Sequence, residues 1–324
     1  MKVKKSSRKS DLVSIVVPVL NESENLAELY RQLNTILAEL SYKFEILFVD
    51  DGSTDSTYRL LEGLRRKDER VKAVSFSRNF GHQAALTAGL QLARGNAVIM
   101  MDGDLQHPPA LIPSLLKEWE AGFPIVYTVR KETQGESFFK KAASRMFYRL
   151  LNSFSDTPVH QAAADFRLLD RKVVASLNTF QERDRLLRGL ISWVGFPSKS
   201  LVYTAEARAA GKSKYTLRKM VKLAIDGITS FSTAPLHLVT YVGFVVCLIS
   251  FMYGLYSLYA FFFTGLTVPG WTSLLITVLF LGGVQLISIG IMGEYLIRVY
   301  NESKGRPLYI IKDSLGVSIP RSRT

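Results

Sequence analysis

From Leu236 to Phe263, and again from Trp271 to Met292, the chain runs without a single Asp, Glu, Lys or Arg, about 28 and about 22 residues respectively. A helix rises about 1.5 Å per residue and a bilayer core is roughly 30 Å thick, so each run is long enough to cross one. A helix in a soluble core rarely stays uncharged over such a length, because one side of it meets solvent. The runs therefore read as two transmembrane helices, 236–263 and 271–297, closed into a hairpin by the uncharged TGLTVPG. Lys212, Lys214, Arg218, Lys219 and Lys222 precede the first, and Arg298, Lys304 and Arg306 follow the second. The positive-inside rule then places both flanks, with everything N-terminal to them, in the cytoplasm. Glu294, near the end of the second run, is expected to pair with Arg298 one turn on. The chain divides accordingly into a basic tail 1–10, a cytoplasmic domain 11–213, a juxtamembrane segment 214–234, the hairpin region 235–298 and a cytoplasmic tail 299–324.

Charge points the same way. Lys and Arg number 41 against 28 Asp and Glu, for a net charge of +13, yet the mean hydropathy is positive at +0.12. A chain both basic and hydrophobic suits a membrane surface or polyphosphate partners better than free solution. Its basic residues cluster beside the apolar runs instead of alternating with aromatics, which argues against nucleic-acid binding. The single cysteine, Cys247, forms no intrachain disulfide and fits a reducing compartment. The N-terminal MKVKKSSRKSD lacks the apolar stretch of a signal peptide. Between Ser137 and Phe154, Phe138, Phe139, Met146, Phe147, Leu150, Leu151 and Phe154 interleave with Lys140, Lys141, Arg145 and Arg149. That pattern predicts an interfacial amphipathic helix over 137–154, and Lys214–Ser230 repeats its character.

Ahead of these segments, strand and helix patterns alternate. Leu12–Val17, Phe44–Val49, Val71–Phe76 and Ala97–Met101 are short β-rich runs. Between them lie Leu26, Leu29, Leu33, Ile36, Leu37 and Leu40 at helical spacing, a second helix over Tyr58–Leu64 and a third in NFGHQAALTAGLQLA. Such alternation implies an α/β fold, a mostly parallel sheet with helices on both faces. Asp102 and Asp104 follow the fourth strand, where open α/β sheets hold ligands. Side chains alternate along extended backbone, so both carboxylates point the same way. Two oxygens on one side suit a hard divalent cation, which can bridge nucleotide phosphates; a solvated acidic turn is the plainer alternative.

Taken in order, VSIVVPVLNESENL, EILFVDDGSTDST, SRNFGHQAALTAGL and MDGDLQHPP resemble the motifs of family 2 inverting glycosyltransferases, whose Rossmann-like nucleotide-binding fold is called GT-A. ADFRLLDR, E-x-R-x-x-G-x-SKY and the two apolar runs narrow the resemblance to polyprenyl-phosphate glycosyltransferases, the group of dolichol-phosphate mannose synthases and bactoprenol glucosyltransferases. RGLISW lacks the spacing of the Q/R-x-x-R-W motif of processive polysaccharide synthases. The resemblance implies that Pro18, Leu20, Glu22 and Gly103 border the nucleoside and that Asp50 accepts a nucleobase N–H; Asp51 and Ser53, by residue type, shape the turn or cap the helix. It implies Asp102 near the ribose or a metal-bound water, Asp104 as direct ligand of Mg2+ or Mn2+, and Gln106 as a further oxygen ligand. His107 is either a loop residue or a member of the coordination shell. Arg130, Arg208 and Lys214 would hold the acceptor phosphate, and Asp102, Arg130 and Asp165 make the implied catalytic set. Asp165 is open between base, acceptor-positioning residue and structural partner of Arg167. The implied reaction moves glucose from UDP-glucose to undecaprenyl or another polyprenyl phosphate at the bacterial inner membrane, in a homo-oligomer that the family makes a tetramer. UDP-GlcNAc, a UDP-aminoarabinose derivative and GDP-mannose are alternative donors, and a non-catalytic sugar-nucleotide sensor or scaffold is the reading from another class.

Overall fold

A computed structural model describes residues 11–130, 163–183, 185–203, 234–263 and 270–318. It falls into two compact units, one of residues 1–148, 157–214 and 306–324, the other of 149–156 and 215–305.

The first unit is built on an eight-stranded sheet of β1 (Leu12–Val19), β2 (Lys43–Asp50), β3 (Val71–Phe76), β4 (Ala97–Met100), β5 (Ile125–Arg130), β6 (Ala163–Asp170), β7 (Ser198–Tyr203) and β8 (Ile311–Leu315), in the order β7-β5-β6-β4-β1-β2-β3-β8. Its centre, β4-β1-β2-β3, is parallel. LVSIVVPV in β1 and KFEILFVD in β2 are apolar on both faces and buried almost throughout, as strands covered on both sides must be. Helices α1 (Leu26–Ala38) and α2 (Thr57–Lys67) connect neighbouring parallel strands, and α3 (His82–Leu92) crosses from β3 to β4 at the other end of the parallel group. In α1, Leu26, Leu29, Leu33 and Leu37 recur every three or four residues and make one buried stripe. In α3, a Cβ added to Gly89 would lie 2.1 Å from Val16 Cγ1, so the helix rests on β1 at a distance only glycine permits. Helices α4 (Ile112–Glu120), α5 (Arg171–Asn178) and α6 (Leu187–Trp193) complete the layer structure.

Beyond β4 the sheet reverses. β6 is antiparallel to both β4 and β5, and β5 is parallel to β7. Met100 at the C-terminal end of β4 pairs with Arg167. The reversal thus carries Asp165, two residues earlier in β6, to the rim where Asp102 leaves β4.

At the opposite rim, Glu45 is buried and accepts hydrogen bonds from the Ser14 hydroxyl, the Lys72 ammonium and the Arg94 amide at 2.5, 2.5 and 2.6 Å. Burial by itself would push this carboxyl up; Lys72, Ser14 and the Arg94 N–H together hold it below the usual glutamate value.

Expected to be a tail, the segment after the second apolar run instead returns to the sheet. β8 pairs antiparallel with β3, with Ala73 opposite Leu315, Val74 opposite Ser314 and Ser75 opposite Asp313. Just before it, the Tyr309 ring stacks on Phe76 with centroids 4.9 Å apart, and its hydroxyl donates to Gln91 Oε1 at 2.6 Å. IKDSL is a short, half-polar edge strand whose partner lies far back in the chain, so no local periodicity announces it.

The second unit contains α7 (Ala234–Phe263) and α8 (Trp271–Ser303), both long and apolar enough to cross a membrane. Phe244, Phe262, Leu279 and Leu286 are exposed on them, unlike the side chains of a helix packed in a soluble core. The amphipathic stretches expected over 137–154 and 214–230 lie outside the described residues, as do Arg208 and Lys214.

Candidate active site

The C-terminal ends of β1, β2 and β4 carry loops rich in carboxylates, and hydrogen bonds fasten the first two loops together. Ser53 Oγ accepts from the Asn21 amide at 2.9 Å, Asn21 Oδ1 from the Thr54 amide at 2.8 Å, and Thr57 Oγ1 from the Glu22 amide at 3.0 Å. Asn21 sits at φ 55, a left-handed conformation asparagine tolerates better than most residues. Pro18 is buried within β1, Leu20 is exposed beyond its end, and the Glu22 carboxylate accepts from the Asn25 side-chain Nδ2 at 2.6 Å. Partial burial raises the Glu22 pKa against that hydrogen bond, with Asp104, Asp55 and Asp102 adding repulsion.

Asp50 ends β2 almost wholly buried, accepting from the Ser75 hydroxyl at 2.7 Å and from the Ser53 amide at 2.9 Å. Asp51 beside it does more than shape the turn: it accepts the Phe80 amide at 2.7 Å and the Gly81 amide at 3.0 Å, which fixes the entry to α3. Gly52 has φ +75, and a Cβ there would meet the Arg78 backbone at 2.5 Å.

At the end of β4, the Asp102 amide donates to His107 Nδ1 at 2.9 Å. The His107 ring stacks on Phe166 with centroids 5.3 Å apart and is buried, which pushes its pKa down. His107 therefore fastens the loop through Nδ1, leaving that nitrogen no lone pair for a metal. Asp104 accepts from the Gln106 amide at 3.1 Å and from the Gln106 side chain at 2.5 Å, and Leu105 between them is held at φ 61. A leucine in that region is strained, and strain of this kind collects at functional loops. Gly103 lies against Val19 and the Pro18 carbonyl, 3.0 and 3.3 Å from where its Cβ would stand.

Asp165 faces this rim from β6. Arg188 Nε and Nη2, from α6, donate to its two oxygens at 2.7 and 2.8 Å, and Arg167 Nη2 stands 3.5 Å away. Burial alone would raise the Asp165 carboxyl; His82, Arg188 and Arg167 hold it far below the ordinary range. Its main partner is thus Arg188, with Arg167 second. His82, the first residue of α3, places Nε2 3.4 Å from Asp102 Oδ1 and 3.7 Å from Asp165 Oδ2. Asp102 itself is raised, chiefly by burial, with His107 and His82 opposing. Neither His82 nor Arg188 stands out in the sequence as a site residue. His82 sits inside SRNFGHQAALTAGL and Arg188 in RLLRG, but neither stretch marks which polar residue turns inward.

Pro18, Leu20, Glu22, Asp50, Asp102, Gly103 and Asp104 thus converge on one rim, with Gln106 bracing Asp104. Arg130 ends β5 opposite Tyr203, with its side chain outside the described residues. Among the described residues no three His, Cys, Asp or Glu side chains close around a common point. The donors present still suit a hard cation: Asp104 offers carboxylate oxygens, and Asp102 Oδ1 is buried with no hydrogen-bond partner. An ion such as Mg2+ keeps water and ligand phosphate oxygens in its shell, so two protein carboxylates suffice.

Residues 14–177 match the model of glycosyl transferase family 2. Similarity to individual proteins extends further. An uncharacterised glycosyltransferase of Bacillus subtilis strain 168 is 44% identical over 308 residues, 95% of each chain. The bactoprenol glucosyl transferase of Shigella phage SfV is 42% identical over 301 residues, 93% of this chain and 98% of its own length. A prophage bactoprenol glucosyl transferase homolog of Escherichia coli K12 is 41% identical over 300 residues, with the same coverage.

Proposed function

Because the chain belongs to glycosyl transferase family 2, we propose that it is a membrane-bound enzyme that moves glucose from UDP-glucose to the phosphate of undecaprenyl or a related polyprenyl phosphate and releases UDP. The observation that carries this reading is that the similarity to bactoprenol glucosyl transferases runs through the α/β domain and on through both apolar helices. UDP-GlcNAc, a UDP-aminoarabinose derivative or GDP-mannose would require the same rim and differ only in the sugar or base pocket.

In this reaction an oxygen of the lipid phosphate attacks the sugar C1 from the face opposite UDP. The C1–O bond to the diphosphate breaks, its electron pair leaves with UDP, and the configuration inverts. A phosphate monoester has a second pKa near ~6, so it arrives largely dianionic and no strong general base is required. The state of Asp165 agrees: a carboxylate paired bidentately with Arg188 is a poor proton acceptor and a good fixed anchor. Asp50, fixed by Ser75 and Ser53, accepts a uracil N–H, and Pro18, Leu20, Glu22 and Gly103 border the nucleoside. A divalent cation, Mg2+ or Mn2+, held by Asp104 with Asp102 and Gln106, would supply the positive charge that stabilises the departing diphosphate. Arg130, Arg208 and Lys214 are assigned to the acceptor phosphate, where positive charge offsets its repulsion from the donor.

The return of β8 to β3 supports a hairpin with both flanks on one side of the bilayer, and the flanking Lys and Arg residues support the cytoplasmic side. Purified full-length protein, given labelled UDP-glucose and undecaprenyl phosphate, should form a lipid carrying one sugar per UDP released. Asp104→Asn should fold and form almost none. Turnover of UDP-glucose to free glucose alone, or full transfer by Asp104→Asn, would overturn the assignment.

A further inference from the structure

The carboxylates of this site come from two directions. Asp102 follows β4 on the donor side, and Asp165 lies on the antiparallel β6, whose other neighbour β5 ends in Arg130. The β4–β6 pairing brings both carboxylates to one rim, and two buried anions across such a gap repel. His82 occupies that gap, with Nε2 3.4 Å from Asp102 Oδ1 and 3.7 Å from Asp165 Oδ2. The place of His82 is set from a third direction. Asp51, at the end of β2, accepts the amides of Phe80 and Gly81 and so fixes the first turn of α3. Gly81, with φ +102, makes the turn that swings His82 inward.

We propose that His82 is a positioning residue for sugar transfer: its Nε2 edge stands between the donor-side carboxylate of Asp102 and the carboxylate of Asp165, within ion-pair reach of both, and Asp51 holds it in place. The inference rests on the transfer reaction proposed above and deepens it. The ion-pair contacts of His82 go to Asp102 and Asp165, whereas Asp50, assigned to the nucleobase, is held by Ser75 and Ser53. His82 sets the separation across which the lipid phosphate must reach C1, and reacting atoms held off by even an ångström lose much of their rate. The effect therefore belongs to the chemical step more than to nucleotide binding.

The test uses full-length protein in detergent micelles, with UDP affinity from calorimetry, kcat and KM for undecaprenyl phosphate, and thermal unfolding as a check on the fold. His82→Ala should lower kcat about 10- to 100-fold, the range for loss of one interaction with a charged group. UDP affinity should stay within about twofold. His82→Gln, which restores an N–H donor at similar reach, should recover part of the rate, as a purely structural role would not require. Asp51→Asn should lower kcat in the same sense, and the Asp51→Asn/His82→Ala double variant should be little worse than His82→Ala alone, because both act through one link. Normal kcat in His82→Ala, parallel loss of UDP affinity, no gain with Gln, or independent effects of the two substitutions would each overturn the inference while the transfer reading stands. A wild-type protein that glucosylates no polyprenyl phosphate would sink that reading, and the role of His82 with it.

Discussion

A carboxylate that receives two hydrogen bonds from one guanidinium gives up most of its affinity for a proton, and Asp165 is in that position opposite Arg188. Glu45 reaches a related state at the other rim of the sheet with a different purpose. It is buried, and Lys72, Ser14 and the Arg94 amide hold its pKa below the ordinary value. A group whose folded pKa is depressed contributes stability above its unfolded pKa and loses it as pH falls through the folded one. Glu45→Gln should therefore lower stability at pH 7 by about 3 kcal/mol, the low end for breaking a buried ion pair. Thermal unfolding of both proteins from neutral pH down to about pH 3 should show the gap closing below the usual glutamate range. An undiminished gap at acid pH would assign the loss to packing instead. The difference between what sequence shows and hides is clearest at this scale. Asp102 and Asp104 are legible because a buried strand ends where they begin. His82 and Arg188 are not, because their partner Asp165 lies on a strand whose direction is settled only by tertiary pairing, and Arg188 sits 23 residues from it.

Elements follow the same division. α1 is legible from its leucine spacing and β1 from its unbroken apolar run, since helix and buried strand each impose a period of their own. The reversal at β6 has no such signature: AADFRLLD is equally apolar in either direction, yet only the antiparallel one brings Asp165 to the rim. The close seat of α3 on β1 is also hidden, although a Cβ at Gly89 would meet Val16. Gly89→Ala should lower stability by about 1–3 kcal/mol, the usual cost of overpacking. Because the clash is with the Val16 Cγ1 methyl, Val16→Ala in the same chain should give part of it back. Calorimetric melting of the two single variants and the double variant checks this; simple additivity would mean that the clash is relieved elsewhere. α3 also carries His82, so kcat should fall with Gly89→Ala more than UDP affinity does.

For the whole molecule the decisive connection is between residues at opposite ends of the chain. β8 completes the edge of a sheet begun at β1, with both apolar helices lying between them in sequence. A reporter fused after Thr324 should be active only in its cytoplasmic form, and one inserted near Thr267 only in its periplasmic form. The opposite result at either site would reject the hairpin. The apolar runs are legible from charge alone as helices long enough to cross a membrane, but the five residues of β8 read as a tail, because an edge strand needs only a partner and no pattern.

This arrangement has a consequence for how the protein is made. The strand that closes the sheet follows both apolar helices in sequence and so leaves the ribosome after them. Until then β3 presents a row of unpaired backbone groups, a template for unwanted association. A chain that inserts only one helix, or inserts the pair upside down, delivers residues 311–315 to the wrong compartment or leaves them without β3. Such a chain keeps an open edge that chaperones and proteases can recognise. On the proposed hairpin topology, the sheet is completed only in molecules whose hairpin returns residues 311–315 to β3.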